Sequence, residues 1–583
     1  TFAGLTTQIH HQGQSMGKQF KTNNWLTTAS FFCSAILILS FAPSLPAQTS
    51  QVSFRTPSNS DTDSTVLQIN KLVEQVWTDY ELKPSKEATD GEWCRRVYLD
   101  IIGRVPSYDE AMEFMESRDS DKKKKLVEKL LYDDSYTEEF ARNWTTVWTN
   151  LLIGRTGGND NNSMISRPGM QKYLRDSFAR EKPYDKMVYE LVTATGSTTP
   201  GDEKFNGATN FLIDKVNEEK ASLATAATTK IFLGLQVQCT QCHNHPFNDW
   251  KQQKYWEMNA FFRQVRAFPG GARPRDGGVA QLADQDFRGE SQGKSEIFFE
   301  MRNGLSKVAY PVFVDGSEIE RSGLVNVVNR RVELAKMMVA SPFMTRSIVN
   351  RMWAHFLGYG FTAPVDDLGP HNIPSNPELL EFLSEEFRRA EFDFRKLISW
   401  VALSKPYSLS SKRTSSNQSD DPLLGESPKF SHFYLRQMEA EQLYESMMVA
   451  TEAIELQGSY EERERKKNTW LGQFNQAFGT DEGQESTSFN GTIPQVLMLF
   501  NGDMVKQAID TKKGSLIDNL AKSGKNYSQS VEQLFIAGLT RKPKNDEKNL
   551  AKQFLKARNG DPKEALRDVW WVILNTNEFI FNH

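Results

Sequence analysis

Apolar residues recur at helical spacing along most of this chain. Val66, Ile69, Val73, Val76 and Trp77 form one stripe. Trp93, Val97, Leu99 and Ile101 form a second, which stops at Gly103. Pro106-Ser107-Tyr108-Asp109-Glu110 supplies a Ser cap and first-turn acids for a third helix, and Lys122–Lys125 opens a fourth with a solvated face. Phe140, Trp144, Val147 and Trp148 mark the next helix, with the Trp pair packed in the core. Further helices are predicted over 171–179, 184–194, 221–232 and 250–262.

From 269 to 293 the pattern lapses into Gly, Arg and Asp, and short strands follow at 297–301 and 308–316 around Asn303-Gly304. This is the one place where sheet is expected. Helices resume at 332–339, 342–357, 379–389 and 396–403, a Ser-rich loop covers 410–426, and 461–467 reads as a charged, solvated helix. Amphipathic stretches at 493–509 and 561–579 close the chain. The fold class is therefore mainly α. Two helical domains, 66–265 and 330–583, are joined by a small β-containing, Gly-rich segment, 266–329.

Length supports more than one domain, because 583 residues exceed what one core usually organises. A net charge of −4 gives no overall attraction to nucleic acid. At the start, 1–15 reads as an over-called beginning before Met16, and 16–47 as a signal peptide. Its basic end precedes an apolar run over 29–41 and small residues up to Ala47; a retained N-terminal anchor is the alternative. Residues 48–65 read as a disordered linker. These features predict a periplasmic or extracellular protein with no transmembrane helix in the mature chain.

The sharpest chemical signal is Cys239-Thr240-Gln241-Cys242-His243, the Cys-x-x-Cys-His pattern of c-type haem attachment. Two thiols three apart can add to the two vinyl groups of a porphyrin while the adjacent imidazole takes an axial position on iron. Cys239 and Cys242 are thus the candidate anchors and His243 the candidate iron ligand, for one covalent haem c. Met258 is the candidate sixth ligand; Met301, His355 and His371 are further ones. A zinc or iron site using Cys239, Cys242, His243 and His245 is the alternative, as is a Cys239–Cys242 disulfide. The count of thiols fits haem: removing the leader removes Cys33, leaving Cys94 as a buried free thiol beside the pair. Asp366 and Asp367 read as a turn and cap, with a paired-carboxylate site as the sharper alternative.

These residues also carry a family resemblance. Arg95-Arg96-Val97-Tyr98-Leu99-Asp100-Ile101-Ile102-Gly103-Arg104 and Leu233-Gly234-Leu235-Gln236-Val237-Gln238-Cys239-Thr240-Gln241-Cys242-His243-Asn244-His245-Pro246-Phe247 resemble the planctomycete cytochrome-c-like domain. Asn350-Arg351-Met352-Trp353, Pro364-Val365-Asp366-Asp367 and Pro374-Ser375-Asn376-Pro377-Glu378-Leu379-Leu380 resemble the planctomycete-specific domain usually fused to it. Both are domains of unknown function. The resemblance implies export and haem but no established reaction; the first functional reading is electron transfer with a redox partner protein. The alternative is a role as a haem- or metal-dependent oxidoreductase or accessory protein beside sulfatase-like or polysaccharide-degrading proteins. A structural surface protein whose Cys motif binds metal or forms a disulfide is the third reading. For enzymatic work His355, His371, Asp366 and Asp367 are the acid–base candidates.

Overall fold

The second helix is the hub on which distant parts of the chain converge. A computed structural model describes residues 59–158, 163–217, 219–246, 250–269, 280–288, 296–452, 459–478, 509–510 and 515–583. The chain divides into two units, Thr1–Thr56 and Pro57–His583, and every described residue belongs to the second. The expected leader, and all of the 493–509 stretch except Ile509, lie outside the described residues.

The first half is built from α1 (Asn59–Asp79), α2 (Asp90–Ile102), α3 (Tyr108–Glu116), α4 (Lys122–Tyr132), α5 (Asp134–Ile153), α6 (Arg167–Ala179), α7 (Tyr184–Thr193), α8 (Ser222–Leu233) and α9 (Gln252–Asn259). After the strands come α10 (Arg330–Ala340), α11 (Pro342–Leu357), α12 (Pro377–Arg389) and α13 (Phe394–Ala402). The C-terminal set is α14 (Ala440–Ala450), α15 (Tyr460–Phe478), α16 (Leu516–Lys522), α17 (Tyr527–Leu539), α18 (Asn545–Ala557), α19 (Pro562–Leu574) and α20 (Asn577–Ile580). The mainly α class holds.

Helix ends follow local chemistry. Ser107 and Glu110 form a capping box at the start of α3, and Gly103 closes α2 in the left-handed region at φ 77°. α1 begins at Asn59, inside the stretch 48–65 expected as a disordered linker, of which 48–58 lie outside the described residues. Its polar end is docked rather than free: Asp63 pairs with Lys124 at 2.9 Å, and Thr65 is buried. Lys122 and Lys123 likewise reach Asp90 and Glu87, so the lysine run ties α4 to its neighbours.

Sheet is more widespread than predicted. β4 (Ile297–Glu300) pairs antiparallel with β5 (Ser306–Ala309), as the Asn303-Gly304 turn suggests. A three-stranded sheet also forms in the order β1 (Gly196–Ser197), β3 (Gln281–Asp284), β2 (Val265–Phe268). Finally β6 (Arg436–Gln437) joins β7 (Phe581–Asn582), a pairing between segments too far apart for any local signal.

One hydrophobic core runs from Ile69 to Tyr434, through residues of both predicted helical regions. A second gathers Leu99 and Val105 from the first half with residues from Met438 to Ile580. α2 serves both. Fully buried Arg95 donates to the carbonyls of Gly538 and Phe579 at 2.7 and 2.6 Å. Arg96 donates to the carbonyls of Tyr407 and, at 3.0 Å, Leu409. Asp100 accepts from Tyr407 Oη at 2.7 Å, Arg436 at 2.6 Å and Asn582 at 2.7 Å. Buried charges persist here because the terminal nitrogens of Arg95 and Arg96 and both Asp100 oxygens find partners, although Nε of Arg95 has none. The 461–467 stretch follows the same rule and is only partly the solvated face expected. Glu464 and Lys467 are buried, with Lys467 3.3 Å from both Glu445 and Glu464, and Arg142 3.3 Å from Glu445.

Candidate functional site

The Cys segment is held as a surface turn by contacts from both halves. α8 ends at Gly234, whose N–H donates to the carbonyl of Thr229 at φ 65°. The chain then forms a tight 3-10 turn over Gln238–Gln241. Val237 and Thr240 face inward, and Thr240 donates both its N–H and its hydroxyl to the Val237 carbonyl, at 2.9 and 2.6 Å. That inward anchoring leaves Cys239, Cys242, His243 and Asn244 exposed on the outer side.

α9 clamps the turn from behind. The Gln241 carbonyl accepts from Gln252 Nε2 at 3.0 Å and from Trp256 Nε1 at 3.1 Å. The same Gln252 amide reaches the Glu300 carbonyl at 3.0 Å, and the Gln252 N–H donates to Asn244 Oδ1 at 3.1 Å. His245 N–H donates to the Trp250 carbonyl at 2.7 Å. His243 Nδ1 lies 2.7 Å from the carbonyl oxygen of its neighbour Asn244. Since a carbonyl only accepts, this contact puts the proton on Nδ1 and leaves Nε2 as the basic nitrogen.

The loop after α11 forms the second wall. Leu368 N–H donates to the Gly234 carbonyl at 2.7 Å, and Ser347 Oγ donates to the Ile231 carbonyl at 3.1 Å. A methyl group on Gly234 would lie 2.7 Å from Leu368 Cδ1, so glycine is needed both for the left-handed backbone and for this close approach. Buried Asn350 shapes the loop: its Nδ2 donates to Thr362 Oγ1 and the Val365 carbonyl, while its Oδ1 accepts from Phe361 N–H. Asp366 is paired with Arg351 and lies 3.7 Å from Lys230. Asp367 accepts from Gly369 N–H at 3.2 Å, the turn role expected of it, and from His371 Nε2 at 3.0 Å.

The His371 ring then sits 5.1 Å, centre to centre, from that of His245. The structure thus gathers Cys239, Cys242, His243 and His245 with Asp367 and His371. The electrostatics record the proximity. Partial burial and, next among the raising influences, the Asp367 charge push the Cys239 thiol upward. Burial and then the His371 charge lower His245.

Other candidates lie elsewhere. Met258 is buried in the main core. Met301 sits beside the β4–β5 turn, its N–H donating to the Leu305 carbonyl. His355 is 5.0 Å from the Trp144 ring, with Nε2 3.3 Å from the Asp100 carbonyl. Cys94, Cys239 and Cys242 are all free thiols, Cys94 buried as expected. Among the described residues no three His, Cys, Asp or Glu side chains converge as a metal cluster, and no helix is long and apolar enough to cross a membrane.

Gln252, Gly234 and Asn350 were not legible as site residues. Only Asn350 carries a local signal, a polar residue on the inward side of an apolar helix stretch.

Comparison with family models agrees with this two-part construction. Residues 68–267 match PSCyt2, a protein of unknown function (DUF1549), and residues 330–555 match PSD1, a protein of unknown function (DUF1553). No curated protein and no solved structure matches the chain. The Cys turn lies in the region that matches PSCyt2 and the Asp367–His371 loop in the region that matches PSD1, so the two matched regions, in that order along the chain, meet at the candidate site.

Proposed function

We propose that this is an exported c-type haem protein that transfers electrons, with one haem held by Cys239 and Cys242 and His243 as an axial ligand. The observation that carries the reading is the display of both thiols and the imidazole on one exposed, rigidly clamped turn. The donor set fits the group: soft thiols for the thioether links, and an imidazole whose Nδ1–H is taken up by the Asn244 carbonyl so that Nε2 can ligate. The label of the first matched family hints at a cytochrome-like domain. The signal peptide expected over 16–47 is consistent with the reading, since haem is attached covalently outside the bacterial cytoplasm.

When bound, haem supplies a one-electron iron couple. Cys239, Cys242 and His243 would hold it on the exposed turn, which Thr240 anchors inward and Gln252 and Trp256 fix through the Gln241 carbonyl; a redox partner protein would approach that exposed face. A protein matured with a cytochrome c assembly system should show a Soret band. His243→Ala should keep the covalent haem but lose its low-spin bands, and an unchanged spectrum would remove His243 from the axial role. Carbon monoxide added to the reduced protein separates the two haem readings: an unchanged spectrum marks a six-coordinate carrier, and a shift marks an open iron that performs chemistry.

A further inference from the structure

The proposed haem attachment employs His243 and does not call on His245, two residues on. The second matched region brings His371 to it. We infer that His245 and His371 together bind a divalent transition-metal ion of the zinc class, a centre separate from the haem and shared between the PSCyt2 and PSD1 regions.

Two observations carry the inference. First, two imidazoles on one tetrahedral ion at the usual Zn–N distance have ring centres roughly 5 Å apart. The His245 and His371 rings are 5.1 Å apart and inclined at 43°, so the pair already has the required spacing. Second, His371 Nε2 is 3.0 Å from Asp367 Oδ2. A carboxylate behind one ring nitrogen fixes the tautomer and raises the basicity of the other, which assigns ligation to Nδ1.

Imidazole donors select zinc, copper or nickel over magnesium and calcium, which need several oxygens. Asp366 adds no carboxylate to the centre, being committed to Arg351 and Lys230. No third His, Cys, Asp or Glu among the described residues completes a cage. The ion would tie the Cys turn to the 364–372 loop across the two regions.

The test uses the full-length, haem-free chain carrying Cys239→Ser and Cys242→Ser, which separates this centre from haem and from any thiolate site. Zinc uptake is followed by equilibrium dialysis with metal analysis, and zinc-dependent melting is read in parallel. One equivalent should bind and raise the melting temperature. His371→Ala and His245→Ala should each lose binding at least tenfold and abolish the zinc-dependent shift. Asp367→Asn, which keeps the loop's shape, should weaken binding roughly 10–100-fold. Uptake that persists in His371→Ala, or that vanishes once the two thiols become serines, would overturn the inference. Absence of uptake by a chain that melts cooperatively would overturn it as well.

Discussion

His355 shows what burial does to a titratable group in this protein. Burial holds its pKa down at about 4, with Asp100 opposing the shift and Arg436 adding to it. The unfolded chain binds that proton near pH 6.5, so protons favour unfolding throughout the interval. Stability from this group is therefore complete above about pH 6.5 and is lost as pH falls to about 4, by at most roughly 3 kcal/mol. Denaturant midpoints measured across pH 4–7 should fall on acidification in the wild type. They should fall markedly less in His355→Gln, and equal slopes would contradict the assignment. Glu110 extends the trend to lower pH. Burial opposes its charge, but Arg104, the Ser107 N–H and Tyr136 together hold the carboxyl at about 2. Its contribution, present above about pH 4.5, disappears as pH falls towards 2.

At the scale of elements, sequence pattern and structure agree where local chemistry decides. Ser107, Gly103, Gly358 and Asn376 mark helix ends in the sequence and do so in the fold. The pattern is silent where distant partners decide. α14 has no readable polar face, because Glu441 and Glu445 are buried against Arg155 and Arg142 from the first half. β2 and β3 are four residues each, and β3 draws on Gln281 and Asp284, which no strand pattern would select. The Cys turn was visible in the sequence as chemistry, but its second wall was not. His371 reaches it only because α11 and Asn350 carry the 361–372 loop back to Gly234. A prediction belongs at this scale. Gly91, in the first turn of α2, packs so closely on the carbonyl of Thr540 that a methyl group there would overlap it. Gly91→Ala should therefore lower stability by about 1–3 kcal/mol despite its better helix propensity, measurable by chemical denaturation. A stabilised variant would show that α2 and the α17 terminus are not in register as described.

Across the whole molecule, the sequence regions and the packing units do not coincide. The main core passes through both matched regions, and the second core borrows Leu99 and Val105 from the first. α2, with Arg95, Arg96 and Asp100, locks the halves together through groups that cannot remain buried alone. Residues 57–583 should consequently melt in one calorimetric transition, and a fragment ending at 329 should lack a cooperative transition of its own. Asp100→Asn should cost about 3–5 kcal/mol by leaving Arg436 uncompensated. Two well-separated transitions in the intact chain would contradict this account. The same interlock gives the site its composite character, because it holds the PSD1 loop against the PSCyt2 turn.

The most direct test of the central claim is a pyridine haemochrome spectrum of the full chain, matured with a cytochrome c assembly system. The account predicts the α-band of haem bound by two thioether links, lost in the Cys239→Ala/Cys242→Ala variant. A colourless, cooperatively folded protein would contradict the haem reading outright.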